Sequence, residues 1–265
     1  MTRGAGRSDE PERSRETTDA HTHLLRVTLA EPECHAYWEN VDLAVPPALR
    51  ATAAFEQRWF GAKSMARVQT LIAALAARFD AFPESLAVLR AWPDLRAPAR
   101  VLVCHLHLQL TDPVYRAFTG DFLVKRRAAG HTTIGRDQVE RWVHDTWGNR
   151  WAAATRLKFA SNLLTAASEA GFLAGRRDPR PLTLPPISDA GLGYALYLLR
   201  EAVPDAALFD NPYIESLGLT REALLDKLRG GVALRVRNLG DVVDVEWAAP
   251  NLRQWAEQAR QGILA

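Results

Sequence analysis

Apolar residues recur every three to four positions through much of the chain, which is the spacing of one face of a helix. The pattern is clearest in the set Phe55, Trp59, Phe60, Val68, Leu71, Ile72, Leu75 and Phe79. Prolines separate such runs into short helices. These prolines are Pro46, Pro47, Pro83, Pro93 and Pro98. The pattern therefore predicts an N-terminal helical bundle over residues 24–110.

The apolar run from Val101 to Leu108 fits two structures. Its alternation is compatible with a strand, and its position between helical runs fits a buried helix as well. Cys104, His105 and His107 lie within it, but a further metal ligand at a usable spacing is missing. We expect the two histidines to be hydrogen-bonded core residues, and we expect no metal site.

Three helices are predicted in the middle third of the chain. The first spans residues 113–128 behind a Thr-Asp cap with proline in the first turn. The second begins near residue 135, with apolar positions at helical spacing. The third spans residues 150–170 and ends at Gly171, which is suited to a C-terminal cap.

The third of these helices has two different sides, because successive residues advance about 100° around a helix. The apolar side comprises Ala153, Leu157, Ala160, Leu164 and Ala167. The opposite side comprises Thr155, Lys158, Asn162 and Thr165. We expect the first side to pack against the protein and the second to face a ligand.

A β-hairpin is predicted after the third helix. Two short apolar segments flank a Gly/Asp/Pro turn that carries Arg176, Arg177 and Arg180. Helix, helix, long helix and hairpin follow one another in the order of a winged helix-turn-helix. The sequence thus predicts this module over residues 111–187.

Charge is distributed unevenly along the chain. The whole chain has a net charge of only +2, but residues 125–180 hold 11 basic and 5 acidic side chains, a net charge of +6. Such asymmetry is typical of a surface that faces a polyanion. The major groove of a DNA duplex, about 12 Å wide, admits one helix that presents its polar side to base edges. Arginines on a hairpin can reach adjacent phosphates or the minor groove.

The predicted DNA-binding residues have different roles. Lys158 and Asn162 are the candidates for base edges, because lysine donates to guanine and asparagine pairs with adenine. Contacts with phosphates or thymine methyl groups are expected from Thr155, Ser161 and Thr165. Contacts with the DNA backbone are expected from Arg150, Arg156, Arg176, Arg177 and Arg180.

The last section of the chain, residues 188–265, is predicted to be a small α+β unit. Its predicted elements are a helix at 190–202, a helix capped by Thr220, a hairpin that pairs 233–236 with 242–247, and a helix at 250–261. Its carboxylates Asp241, Asp244 and Glu246 are expected to keep an exposed strand soluble and to bind no metal.

Residues 1–23 contain almost no apolar side chains and are predicted to be a mobile tail, in which His21 and His23 lack the fixed geometry of a metal site. Two cysteines, no signal-peptide core and no apolar stretch long enough for a bilayer predict a soluble, cytoplasmic protein. The predicted fold class is mainly α: a multi-helix bundle with a central winged helix-turn-helix and a small C-terminal α+β unit containing a β-hairpin.

Several stretches of the sequence resemble one known family. They are Trp151-x-x-x-Thr155-x-x-Lys158-x-x-Ser161-x-Leu163, Glu169-Ala170-Gly171-Phe172-Leu173, Asp210-Asn211-Pro212 and Leu239-Gly240-Asp241-Val242-Val243. In these features the chain, from about residue 35 onward, is similar to the BrxA family of BREX bacteriophage-defence systems. The resemblance implies a helical frame with a winged helix-turn-helix, DNA binding, and a role beside the methyltransferase, ATPase and phosphatase-like components of the system.

The expected function is binding of double-stranded DNA without chemistry on it. The sequence has no Walker-type phosphate loop, no His-Glu-x-x-His pair and no Gly-x-Ser-x-Gly elbow, so we expect no enzymatic activity, no cofactor and no small-molecule substrate. The expected partners are double-stranded DNA and other BREX defence components, with no membrane. The alternative is a scaffold in the same complex that uses the winged helix to dock a partner protein.

Overall fold

Helices dominate the computed structural model, which describes residues 15–204, 211–229, 233–239 and 242–263. The helices are α1 Glu31–Asn40, α2 Pro47–Glu56, α3 Met65–Phe79, α4 Pro83–Arg90, α5 Ala97–Thr111, α6 Pro113–Ala117, α7 Leu123–Ala128, α8 Arg136–Trp147, α9 Ala153–Glu169, α10 Asp189–Ala202, α11 Pro212–Ser216, α12 Arg221–Leu228 and α13 Leu252–Arg260. The strands are β1 Thr133–Ile134, β2 Arg180–Pro181, β3 Leu234–Leu239 and β4 Val242–Trp247. The prediction of a mainly α protein is confirmed.

Helix α5 forms the centre of the N-terminal bundle. Every residue from Leu102 to Leu110 is buried, and α1, α3 and α10 pack around the helix. The run at 101–108 is therefore a helix, since apolar residues on all sides suit a helix that is enclosed by others. His105 and His107 are buried in it and hydrogen-bonded, as expected.

Helices α6 and α7 are joined by a π turn, Phe118–Phe122, inside the helix that was predicted over 113–128. The turn lies against the start of α11. A side-chain carbon at Gly120 would stand 2.6 Å from the Pro212 carbonyl oxygen. Glycine at this position thus allows the two backbones to approach each other.

Helices α8 and α9 pack against each other, and a small sheet lies beside them. Strand β1, before α8, pairs antiparallel with β2, after α9, with Ile134 opposite Arg180. Leu173 and Leu182 form a further antiparallel bridge at the place of the predicted hairpin. Strand β1 was not predicted, because a strand of two residues is too short to show alternation.

Residues 15–23 are not the mobile tail that their composition predicted. The Thr17 amide donates to the Leu110 carbonyl at 2.9 Å, and the Arg116 guanidinium donates to the Thr17 carbonyl at 2.8 Å. The prediction was wrong here because the backbone of the segment, rather than apolar side chains, makes these contacts. Residues 1–14, the remainder of the predicted tail, lie outside the described residues.

The C-terminal section shares a core with the N-terminal bundle. Helix α10 packs on α5, and α13 packs on α4 and α10. Strands β3 and β4 pair antiparallel with Leu234 opposite Trp247, near the bounds predicted for the hairpin. Of the three predicted surface carboxylates, Glu246 is exposed, whereas Asp241 and the side chain of Asp244 lie outside the described residues.

Candidate nucleic-acid interface

Helix α9 has one buried side and one open side. The buried residues are Phe159, Ala160, Leu163, Leu164, Ala166 and Ala167. Ala153 and Leu157, both predicted on the packed side, are exposed, Leu157 to 43%, so those two assignments were wrong. The Phe159 ring packs on Trp151, with ring centroids 4.3 Å apart. This larger apolar group takes the buried position, and Leu157 is consequently turned towards solvent.

The open side of α9 forms a stripe that combines a cation with hydroxyl groups. We call it the α9 stripe; its residues are Ala154, Leu157, Lys158, Ser161 and Thr165. The Ser161 and Thr165 hydroxyls each donate to the carbonyl four residues earlier, at 3.1 and 2.9 Å. Their oxygens remain able to accept a hydrogen bond. Lys158 is exposed, and it has no hydrogen bond or ion pair with the described part of the chain.

One edge of α9 is covered by residues 15–30, which we call the strap. The Asn162 side-chain amide donates to the Leu24 carbonyl at 2.9 Å. At the end of the helix, the Glu169 carboxylate accepts from the Leu29 amide, also at 2.9 Å. Asn162, predicted to contact a base edge, is thus half-buried and engaged by the chain itself, and it lies beside the α9 stripe rather than in it.

Two of the arginines predicted to grip the DNA backbone also contact the protein. Arg150 donates to the Ala20 carbonyl of the strap at 2.7 Å, and Arg156 donates to the Trp151 carbonyl at 2.7 Å. Thr155 is half-buried on the same side of α9 as Asn162. The predicted site residues near the start of α9 therefore serve mainly to hold α9 in place.

Arg180 is a structural residue rather than part of the exposed tip of the hairpin. Its guanidinium donates to the Leu164 carbonyl and to the Ser168 hydroxyl, both at 3.0 Å. It also donates to Asp178 at 3.2 Å. These bonds attach the hairpin to the last turns of α9.

Three exposed arginines gather around the hairpin turn. Arg176 and Arg177 lie in the turn itself, and Arg136 is the first residue of α8. The Arg136 amide donates to the Asp178 carboxylate at 3.1 Å, which places the turn against the start of α8. Among the described residues, the three guanidinium groups have no ion-pair partner. The sequence analysis counted Arg136 in the net charge but did not predict it as a DNA-binding residue. Its proximity to the hairpin depends on tertiary contacts, which the sequence does not show.

Other basic side chains of the segment are committed to internal contacts. Arg127 lies beneath the hairpin, donates to the Thr183 carbonyl at 3.2 Å and stacks over the Phe172 ring at 5.5 Å. Burial lowers the pKa of Arg127. Lys125 and Arg141 pair with carboxylates one turn earlier on their own helices. The net charge of +6 thus overstates the charge that is free to meet a polyanion.

The part of the chain that the structure describes contains no group of three or more histidine, cysteine or acidic side chains that could hold a metal ion. Within the same residues, no helix is both long enough and apolar enough to cross a bilayer. A scan against protein-family models found no match, and a search of curated proteins found none either.

Proposed function

We propose that the protein binds double-stranded DNA, with the α9 stripe in the major groove and the hairpin arginines on phosphates, and performs no chemistry on it. The observation that carries the proposal is that Lys158, Arg176 and Arg177 are exposed and have no ion-pair partner in the described part of the chain. Apart from Arg136, which is also exposed beside the hairpin turn, the other basic residues of the segment are held by carbonyls, carboxylates or aromatic rings. Three cations without internal partners are suited to phosphate oxygens and to guanine edges.

The order of elements supports assignment of residues 111–187 to a winged helix-turn-helix. A helix built from α6 and α7 is followed by β1, α8, α9 and the hairpin. The pairing of β1 with β2 gives the hairpin a third strand, which is the usual connectivity of a wing. In this arrangement α9 is the recognition helix.

The spacing of the cations also supports the proposal. Arg180 attaches the hairpin to the Leu164 carbonyl and the Ser168 hydroxyl, which follow Lys158 on the same helix by six and ten positions. This places Lys158 about 9–15 Å along the helix axis from the hairpin. A helix in the major groove with a cationic turn on the flanking phosphates requires a separation of this order.

A fluorescence anisotropy titration with a labelled random duplex tests the proposal. We expect saturable binding that weakens by tenfold or more between about 50 and 200 mM salt, because several phosphates lose their counterions on binding. Charge reversal at Lys158, Arg176 and Arg177 should lower the affinity at least about tenfold. It should also reduce the steepness of the plot of log affinity against log salt concentration by about 0.9 for each phosphate contact that is lost.

The matched control reverses three exposed cations on other helices, Lys227, Arg253 and Arg260. It makes the same change in net charge and should reduce the affinity less than about threefold, because only long-range electrostatics are altered. Equal losses in the two triple variants, with both still folded, would contradict the site.

A protein-docking scaffold is the second candidate function. It is favoured by Leu157, which places an exposed apolar side chain in the middle of the α9 stripe. A chain that binds no duplex at low salt, or binds it without salt dependence, supports the scaffold.

We also propose that the protein acts beside other components of a BREX phage-defence system. The support is the sequence resemblance, whose Lys158 and Ser161 lie in the α9 stripe, whose Thr155 is half-buried beside it and whose Leu163 is buried. Asp210 and Gly240 of the same resemblance lie outside the described residues. Co-purification with a tagged chain, from cells that carry the neighbouring genes and from cells that lack them, tests this role.

A further inference from the structure

A half-open cavity of about 310 Å³ lies between α5, the last turn of α9 and the segment after β2. Small-molecule sites occupy about 300–1,000 Å³ and are predominantly apolar. The size of the cavity is that of a site for one small ligand.

The walls of the cavity are mostly apolar. The side chains that form them include Pro98, Val101, Leu102, Phe172, Pro185 and Pro186. The Phe172 ring is fully buried beneath Arg127 and His105, so the prolines, whose rings remain partly or fully exposed, offer the flat faces on which a planar ring can pack. The walls thus favour an aromatic group over a flexible chain.

His105 also lines the cavity but offers no charge to a ligand. Its Nδ1 lies 2.9 Å from the Tyr115 hydroxyl, and its Nε2 lies 3.0 Å from the Ser216 hydroxyl. Both ring nitrogens are therefore already engaged. Burial lowers the pKa of His105 to about 3, so its ring is neutral at physiological pH.

Glu169 is the one charged residue among the residues that line the cavity, and it is exposed. Its carboxylate accepts from the Leu29 amide at 2.9 Å, from the Thr28 hydroxyl at 3.1 Å and from the Ala30 amide at 3.4 Å. A carboxylate has about four lone-pair sites, so it can accept a further donor. Glu169 is also the last residue of α9, where the helix carries partial negative charge. Both features favour a cation at the rim.

We propose that this cavity binds a small aromatic amine, with its ring between α5 and the proline pair and its ammonium group on Glu169. A ring with an anionic tail is disfavoured, since it would place two negative charges together. The sequence led us to expect no small-molecule substrate, and the ligand inferred here is bound without being transformed. This site is separate from the α9 stripe, so it does not require DNA binding.

Isothermal titration calorimetry with tryptamine and with indole-3-propionate tests the proposal, because the two probes share a ring and differ in the charge of the tail. We expect tryptamine to bind the full chain at least tenfold more tightly. Absence of saturable tryptamine binding at millimolar concentration overturns the proposal, and so does equal affinity for the two probes.

Two variants test the contribution of the cavity walls and that of the charged rim separately. Ala97→Trp, at an exposed lining position in the first turn of α5, should obstruct the cavity and weaken tryptamine binding at least tenfold. Glu169→Gln keeps an oxygen that can accept from Leu29 and removes the charge, and should bring the affinities for the two probes within about threefold of each other. Unchanged binding of tryptamine by either variant overturns the assignment.

Discussion

The side-chain amide of Asn162 donates a hydrogen bond to the backbone carbonyl of Leu24, 138 positions away in the chain, with a nitrogen–oxygen distance of 2.9 Å. This bond joins the middle of α9 to the strap. With the contacts of Arg150 and Glu169, it attaches the strap along the whole length of the helix. The strap is attached in turn to α5, so it fixes the orientation of α9 relative to the bundle.

Asn162→Ala should lower the free energy of unfolding by about 1 kcal/mol, the usual contribution of one such hydrogen bond. Urea denaturation measures it. Ser161→Ala, next to it, removes only a bond to the Leu157 carbonyl of the same helix and should change the free energy by less than about 0.5 kcal/mol. If Asn162→Ala leaves stability unchanged and lowers DNA affinity tenfold, then Asn162 contacts a base edge, as the sequence predicted.

Arg180 should contribute to stability, whereas Arg177 should contribute to DNA binding and little to stability. Arg180→Ala removes the bonds to the Leu164 carbonyl and Ser168 hydroxyl, and should lower the free energy of unfolding by about 2 kcal/mol, since bonds to charged groups contribute more than neutral ones. Arg177→Ala should change stability by less than about 0.5 kcal/mol. Urea denaturation and anisotropy on the same two variants check this, and a larger loss of stability in Arg177→Ala would contradict it.

Stability should fall as the pH is lowered from about 6.5. Burial lowers the pKa of both His105 and His107 to about 3 from an ordinary 6.5. Below pH 6.5 the unfolded chain binds protons that the folded chain excludes, so stability is complete above 6.5 and is lost between 6.5 and 3. At pH 5 each histidine should cost about 2 kcal/mol. Urea denaturation at pH 7.5 and 5.0 measures the loss.

His107→Gln provides the control for the pH dependence. Glutamine does not titrate, so this variant should lose about half as much of its unfolding free energy between pH 7.5 and 5.0 as the parent chain. An unchanged pH dependence would show that other groups cause the loss.

Gly120→Ala should lower the free energy of unfolding by more than about 2 kcal/mol, because the new carbon would stand 2.6 Å from the backbone oxygen of Pro212 and one of the two backbones must shift. Gly135→Ala is the matched substitution. Its new carbon would meet only the free end of the Asp137 side chain, which can rotate away, and we expect a loss of less than about 1 kcal/mol. Thermal unfolding compares the two, and equal losses would contradict this account of the π turn.

Local patterns were sufficient to predict most helices. The apolar spacing of α3, α8 and α10, the cap at Thr220 and the terminal Gly171 each depend on residues within a few positions of one another. The hairpin at β3 and β4 was predicted for the same reason. The sequence did not predict which side of α9 is buried. Whether Leu157 or Phe159 is the buried residue depends on Trp151, which packs against Phe159.

The sequence alone determined the helical class, the order of the helices from α6 to α10 and the excess of basic residues in the middle third, because spacing and composition are properties of neighbouring positions. Tertiary structure decided which of those basic residues are free. Arg180 and Lys158 are both cations in the predicted module, yet one attaches the hairpin to α9 and the other is open to solvent. That difference depends on how the hairpin packs on α9, because the packing brings Arg180 to the Leu164 carbonyl and the Ser168 hydroxyl, whereas no carbonyl or carboxylate of the described residues bonds to Lys158.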